Sequence, residues 1–366
     1  MSEPLELSGI DGANPLGFLA TLGTLVTLAE AGESAARLGW KGGATWCPYL
    51  TGLSKPDGIC TMLATALRGC QVAADAEGAR VKAQKEFEVA AARVKKAKDR
   101  FKERNLRGKE RAEAFAKEIK PFEEVLHLKR KMFLEKLNAA VPRPELSIGK
   151  KIDMSVEEFR AKARQFLDDN TLGFSAVTLL AALATEGSGD DRSRRTDFDF
   201  IDSSGRLAFL ETVRQLMLLA SPERLHAVLF KPWQRTDGRW SLRFDPIEDR
   251  RYALLDRDPT ASDNKSRSEW MANLLAFRAL SFFPCAITQR GSATTCWHED
   301  ADGLSFRWPL WRSPLSQNTI RSLLGHQSLG SSNPITSLRM LGVEAVYCSR
   351  RISNGDYVNF SPAFGL

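Results

Sequence analysis

From Arg80 to Ala140 the chain reads RVKAQKEFEVAAARVKKAKDRFKERNLRGKERAEAFAKEIKPFEEVLHLKRKMFLEKLNAA, a run with helical periodicity. Phe87, Val94 and Phe101 recur every seven residues, with Ala83, Ala90 and Ala97 between them, which makes a narrow apolar seam. After a turn at Asn105 to Lys109, a second seam follows in Phe115, Ile119, Phe122, Leu126 and Phe133. Pro121 is placed to kink or restart that second helix, because it lacks an amide hydrogen and clashes with the preceding turn. Two seams joined by a turn predict an antiparallel helical hairpin, since each apolar stripe needs cover. The small side chains of the first seam allow a close approach.

The same segment holds the chain's surplus charge. It carries 19 Lys and Arg against 10 Asp and Glu, while the remainder holds 33 against 35 and the whole has a net charge of +7. Arg93, Lys96, Arg100, Arg104 and Arg107 fall three or four residues apart and so share one helix face. Such a face suits a polyanion lying along it, or the solvated side of a coiled coil.

On either side of the hairpin the pattern is that of a mixed globular body. The 43% apolar and 27% charged composition supplies enough core for a folded body. LELSGI suits a short strand, and Leu16 to Ala31 a buried helix closed by Gly32, with Asn14 as its N-cap and Pro15 at its first position. VPRPELSIG is a proline-rich connector, and SVEEFRAKARQFLDD a helix capped by Ser155. TEGSGDDRSRRTDFDFIDSSGR is a surface loop containing the short strand DFDFI. In the last third, GRWSLRFDP and RRYALLDRDP suit paired strands, SEWMANLLAFRALSFF a buried helix, GLSFRWPLW a strand, and LSQNTIRSLLGH a helix. VEAVYCSRRISNGDYVNFSP suits a hairpin turning at SNGD. The fold class is α+β: short antiparallel strands and helices with a long helical hairpin inserted. The expected division is 1–79 with 141–220 as an N-terminal body, 80–140 as the hairpin, and 221–366 as a C-terminal α+β region.

The glycine-rich opening GIDGANPLGFLATLGTL lacks the Lys-Ser/Thr of a phosphate loop and the spacing of a dinucleotide fingerprint, so it reads as a helix start. The six cysteines are widely separated, with no Cys-x-x-Cys pair. The acidic start MSEPLELSG is unlike a secretory signal, so reduced thiols and a cytoplasmic location are expected. No apolar run suits a membrane span. CWHEDADG gathers Cys296, His298, Glu299, Asp300 and Asp302 between two apparent strands; a metal-dependent nuclease site is conceivable there, but zinc sites usually show paired Cys or His spacings. Asp245, Glu248, Asp249 and Asp256 interleave with Arg250 and Arg251, which favours structural ion pairs over a metal. No cofactor, resident metal or catalytic set is expected.

Several blocks together resemble one family. NPLGFLATLGTLVTLAEAG is similar to the N-terminal Asn-Pro…Phe…Leu-Gly motif of small subunits in type I CRISPR systems of subtype G, formerly U. RRTDFDFIDSSGRLAFLETVRQL resembles their Thr-x-Phe-Asp-Phe-x-x-Gly segment. FDPIEDRRYALLDRDP, ANLLAFRALSFFP, PLWRSPLSQNTIRSLL and VYCSRRISNGDYVNFSPA resemble their C-terminal blocks, in the same order. The helical hairpin lies outside the matched blocks.

The resemblance implies a non-enzymatic, large-subunit-like member of an RNA-guided surveillance complex (Cascade). Its partners would be a CRISPR guide RNA, target double-stranded DNA, the other Cascade subunits and a helicase-nuclease that cuts. Guide pairing supplies most of the sequence reading in such complexes, while the protein reads a short flanking motif. In this chain the phosphate contacts would fall to the hairpin (Arg93, Lys96, Arg100, Arg104, Arg107, Lys109), to the loop with Arg192, Arg194 and Arg195, and to Arg350 and Arg351. The alternative from another class is a docking hairpin whose seams a partner protein completes.

Overall fold

Asn14 and Pro15 start the first helix of the computed structural model, which describes residues 3–68, 74–104, 108–140, 146, 152, 154–169, 174–187, 192–201, 208–248, 267–288, 291–354 and 357–366. The Asn14 Oδ1 accepts from the amides of Leu16 at 2.8 Å and Gly17 at 3.3 Å. Pro15 occupies a first-turn position whose amide would have lacked a helical partner. Two units follow from the way the chain folds back on itself: 1–68 with 144–366, and 69–143. The body expected as two regions meeting near residue 220 is thus one unit, because its N-terminal helix is packed by elements from the last third of the chain.

In the first unit, β1 (Leu5–Glu6), β2 (Arg37–Lys41) and β3 (Cys47–Thr51) form an antiparallel sheet in the order β1-β3-β2. Between β1 and β2 runs α1 (Pro15–Glu30), buried from Pro15 to Leu28. A helix apolar all round belongs inside a core. The hydroxyls of Thr21, Thr24 and Thr27 donate to the carbonyls four residues back, so their burial leaves no donor unmet. After α2 (Ile59–Arg68) the chain enters the second unit.

That unit is α3 (Ala74–Glu103), α4 (Gly108–Glu118) and α5 (Lys120–Ala140). The first seam is buried as its spacing predicts: Ala90, Val94 and Phe101 lie inside. Phe87 stacks on Phe133 with ring centroids 5.7 Å apart, and Phe101 meets Phe115 edge-on at 5.7 Å. Pro121 restarts the second arm: α4 stops at Glu118 and α5 begins at Lys120. Phe122, expected in the seam, is instead 44% exposed, because the restart turns it to the open side.

The first unit resumes with α6 (Val156–Asp168), capped reciprocally by Ser155 and Glu158, then α7 (Phe174–Leu183) and the ribbon of β4 (Ala184–Thr185) and β5 (Arg194–Arg195). Next come α8 (Phe209–Leu219), α9 (Pro222–Phe230) and α10 (Trp270–Ala279). β6 (Cys285–Thr288) pairs with β7 (Gly291–Thr294). β8 (Trp297–Asp300), β9 (Gly303–Trp311), α11 (Gln317–Leu324), α12 (Pro334–Leu338), β10 (Val343–Asn354), β11 (Tyr357–Phe360) and β12 (Phe364–Gly365) complete the chain. The largest sheet runs β11-β10-β9-β8, with β12 also on β10. Its inner face meets α1 through an aromatic cluster: Phe18 stacks on Trp40 and Trp308, and Phe306 joins Phe198, Trp297 and Phe360. α10 lies so close to α1 that a Cβ on Gly23 would stand 1.7 Å from the Leu275 carbonyl oxygen. The architecture is mixed α+β.

Two expected strands are absent. Residues 197–201, DFDFI, form a turn: Phe198 and Phe200 anchor in the aromatic cluster, while the Asp199 amide closes on Thr196 O and the Asp197 amide finds Thr294 Oγ1. The alternation of Asp and Phe therefore reports anchoring, not a ladder. GRWSLRFDP is irregular because Arg239 and Arg243 take left-handed backbone angles, φ +76° and +63°, which a strand does not admit. RRYALLDRDP, with Asp249, Arg250, Arg251 and Asp256, lies outside the described residues, as do Arg107 and most of the connector 141–149.

Candidate nucleic-acid interface

The basic face predicted for the hairpin is one wall of a groove. Arg93, Lys96 and Arg100 line it from α3 and Arg104 from just past its end, and Lys117, Glu118, Ile119, Pro121 and Phe122 line it from the second arm. The groove continues toward Lys85, Val89 and Val125. The α3 side is mainly cationic, while the second arm mixes Ile119, Pro121 and Phe122 with Lys117 and Glu118. Ala97 at its floor keeps the walls close, and the break at Pro121 presents Phe122 to it.

The cations differ in how free they are. Arg104 grips Glu118 with a two-oxygen hydrogen bond, at 2.5 and 2.6 Å. Lys98 pairs with Glu123 at 2.6 Å, and Lys129 with Glu86 at 2.7 Å. The Lys129 ammonium holds the Glu86 carboxyl below its ordinary range, through that hydrogen bond first and its charge second. Arg93, Lys96, Arg100 and Lys109 are exposed and have no ion pair among the described residues. Arg93, Lys96 and Arg100 span seven residues of one helix, about 10 Å of axis, as a rigid line of positive charge.

The body arginines are largely occupied by neighbouring carboxylates. Arg195 pairs with Asp199 at 2.9 Å, and the Arg351 guanidinium donates to the Asp199 carbonyl at 3.4 Å while lying 5.6 Å over the Phe200 ring. Burial pulls the Arg351 pKa down, and the charges of Asp197 and Asp199 partly oppose that. Arg350 binds Asp302 at 2.5 Å. Arg192 bridges to Ser155 through backbone, and Arg194 is exposed without an ion pair among the described residues. The structure brings Arg195 and Arg351 together at Asp199, an association with no signal in the local sequence.

The acidic cluster of the last third does not converge. His298 and Asp300 lie on β8, where Asp300 pairs with Arg307 at 3.1 Å. Burial pushes His298 down to about 4, with the Arg307 charge adding to the effect. Cys296 is buried, and its thiol, raised by burial, donates to Leu324 O at 3.3 Å. Among the described residues no three His, Cys, Asp or Glu side chains are placed to hold a metal. Nor is the start of α1 an anion site, since Asn14 takes its first amides and the Asn14 Nδ2 donates to Asp245 at 3.0 Å.

Around Asp245 sits a network that sequence reasoning took only as ion pairing. Arg235 pairs with Asp245 at 2.8 Å. Glu248 is buried between the hydroxyls of Ser241 and Ser268. Burial first, and the Asp245 charge second, push the Glu248 carboxyl up to about 7.

No protein-family model and no curated protein matches the chain. Among the described residues no helix is long and apolar enough to cross a membrane.

Proposed function

We propose that this chain is a non-catalytic, DNA-binding subunit of an RNA-guided CRISPR surveillance complex. In this reading it works in the cytoplasm beside a guide RNA and the other Cascade subunits, steadies target DNA, reads its flanking motif and helps recruit the helicase-nuclease. The observation that carries nucleic-acid binding is the line of Arg93, Lys96 and Arg100, three exposed cations at helical spacing without carboxylate partners among the described residues. Phosphates compete well for such cations because no internal ion pair must first be broken. The assignment to a Cascade complex rests on the sequence blocks that resemble that family. Purifying the tagged full chain from cells expressing its native operon tests the assignment. Recovery of a short guide RNA with several protein subunits is expected; recovery of the chain alone, free of RNA, overturns it.

A second reading follows from the exposed apolar side chains that line the groove from both helices: Val89 on α3 with Phe122 and Val125 on α5, 52%, 44% and 51% exposed. Under that reading the groove takes a partner protein, and copurification survives nuclease but is lost when residues 80–140 are deleted.

A further inference from the structure

A different surface, on the first unit, combines flat aromatic rings with cations. Arg224 to Arg243 reads RLHAVLFKPWQRTDGRWSLR, with five Arg or Lys and one Asp. Three Arg–Trp cation–π pairs form there. Arg224 lies 4.8 Å over the Trp270 ring, Arg235 5.7 Å over Trp233, and Arg239 4.4 Å over Trp240. The pairs are tied into one patch. The Trp270 indole N–H donates to Gly238 O at 3.2 Å, and its amide donates to Asp237 Oδ2 at 2.9 Å. Arg224 Nη1 donates to Asp237 Oδ1 at 3.2 Å, and the Arg235 amide donates to Glu269 Oε1. All three tryptophans keep part of their surface in solvent, and Lys231, Gln234 and Arg239 on the same loop are exposed.

The backbone of this loop is held in an unfavourable form. Arg235, Arg239 and Arg243 have φ of +49°, +76° and +63°, a region glycine enters freely and long side chains rarely do. Non-glycine residues held there gather at functional sites. Of the three, Arg239 is exposed, while Arg235 is half-buried on Asp245 and Arg243 is half-buried. A part-exposed indole beside a cation suits an unpaired base stacking on the ring, and the exposed Lys231 on the same loop supplies charge for its phosphate. A duplex offers phosphates but hides its base faces. An unpaired strand offers both.

We infer that the Trp233–Trp240–Trp270 surface binds single-stranded nucleic acid by stacking unpaired bases on its tryptophan rings. This site is separate from the α3 cations and does not depend on the chain belonging to any complex. The test uses the full chain and labelled oligo-dT, oligo-U and duplex probes of about 15 nucleotides or base pairs, with affinity read by fluorescence anisotropy. Two variants are used: Trp240→Ala, which removes a stacking face, and Arg239→Gly, which suits the left-handed backbone and removes the guanidinium. Each is expected to weaken single-strand binding about tenfold or more, leaving duplex affinity unchanged. Oligo-dT bound as well as oligo-U assigns the site to unpaired bases of either sugar, and a preference for one names its source. The melting temperature of Arg239→Gly is expected not to fall. Absence of single-strand binding by the unaltered chain overturns the inference, as does unchanged affinity in both variants, or an equal loss on duplex and single strand. A marked fall in the melting temperature of Arg239→Gly assigns Arg239 to the fold and overturns it as well. Failure here leaves duplex binding by α3 standing, so the two readings are separable.

Discussion

Replacing Arg93, Lys96 and Arg100 together by alanine isolates the part of DNA affinity that the α3 wall supplies. Each phosphate neutralised on duplex DNA contributes a slope of about −0.9 to the dependence of log K on log salt. Three cations free of internal carboxylates therefore account for a slope of about −2.7, or roughly a 40-fold loss of affinity between 50 and 200 mM salt. The triple variant should bind less tightly at low salt, with a slope shallower by that amount. Alanine is the best helix former, so the exposed face of α3 should keep its helicity, and circular dichroism checks this. Arg104→Ala is the internal control. Its guanidinium is already held by Glu118, at 2.5 Å, so it should change the slope by less than one full contact. Fluorescence anisotropy with a labelled duplex across that salt range gives both numbers. A triple variant with unaltered slope and affinity refutes the assignment of phosphate contacts to α3. A larger effect from Arg104 than from the other three refutes the ranking by ion pairing.

Three further outcomes follow from the body. Asn14→Ala removes the α1 cap and a donor to buried Asp245, so urea unfolding should show a loss of about 2–3 kcal/mol, and a loss below about 0.5 kcal/mol contradicts both roles. Gly23→Ala places a methyl 1.7 Å from the Leu275 carbonyl oxygen, and the helices must part; a destabilisation of about 1–3 kcal/mol or more is expected in the urea midpoint, whereas a neutral result contradicts the close crossing. Glu248 has a folded-state pKa of about 7 against an ordinary 4.5, so its proton stabilises the fold below pH 4.5 and that contribution fades as pH rises through 7. Relative to Glu248→Gln, the unaltered chain should lose up to about 3 kcal/mol between pH 4.5 and 8, and a constant difference across that range contradicts the buried, raised carboxyl.

Elements built from local periodicity were readable from the residues alone. The seven-residue spacing of Phe87, Val94 and Phe101 marked the seam of α3, and Asn14-Pro15 marked the start of α1, because cap and seam are both short-range devices. The strand at Gly303–Trp311 and the paired strands Val343–Asn354 and Tyr357–Phe360 follow their apolar alternation and turn residues. The line of Arg93, Lys96 and Arg100 was likewise visible, since helix geometry alone puts them on one face. What was hidden depends on distant partners. Whether Arg350 is available depends on Asp302, and Arg351 meets Asp199 from the far end of the chain. The irregular path through Arg235, Arg239 and Arg243 has no glycine to announce it, and Trp270, which organises it, lies beyond residues 249–266.

The close crossing of Gly23 with Leu275 also sets an order of events during synthesis. α1 has no complete cover until α10 exists, so its apolar surface must wait for some 250 residues of further chain. At ribosomal speeds of about 5–20 residues per second that delay is roughly 13–50 s. The α3–α5 hairpin emerges within the interval, and its contacts, such as Phe87 with Phe133, close over a much shorter loop. The inserted unit therefore folds first, while the helix made before it is still exposed. A chain truncated before Trp270 should display α1 as a sticky segment that engages holdase chaperones, with the hairpin already protected from protease.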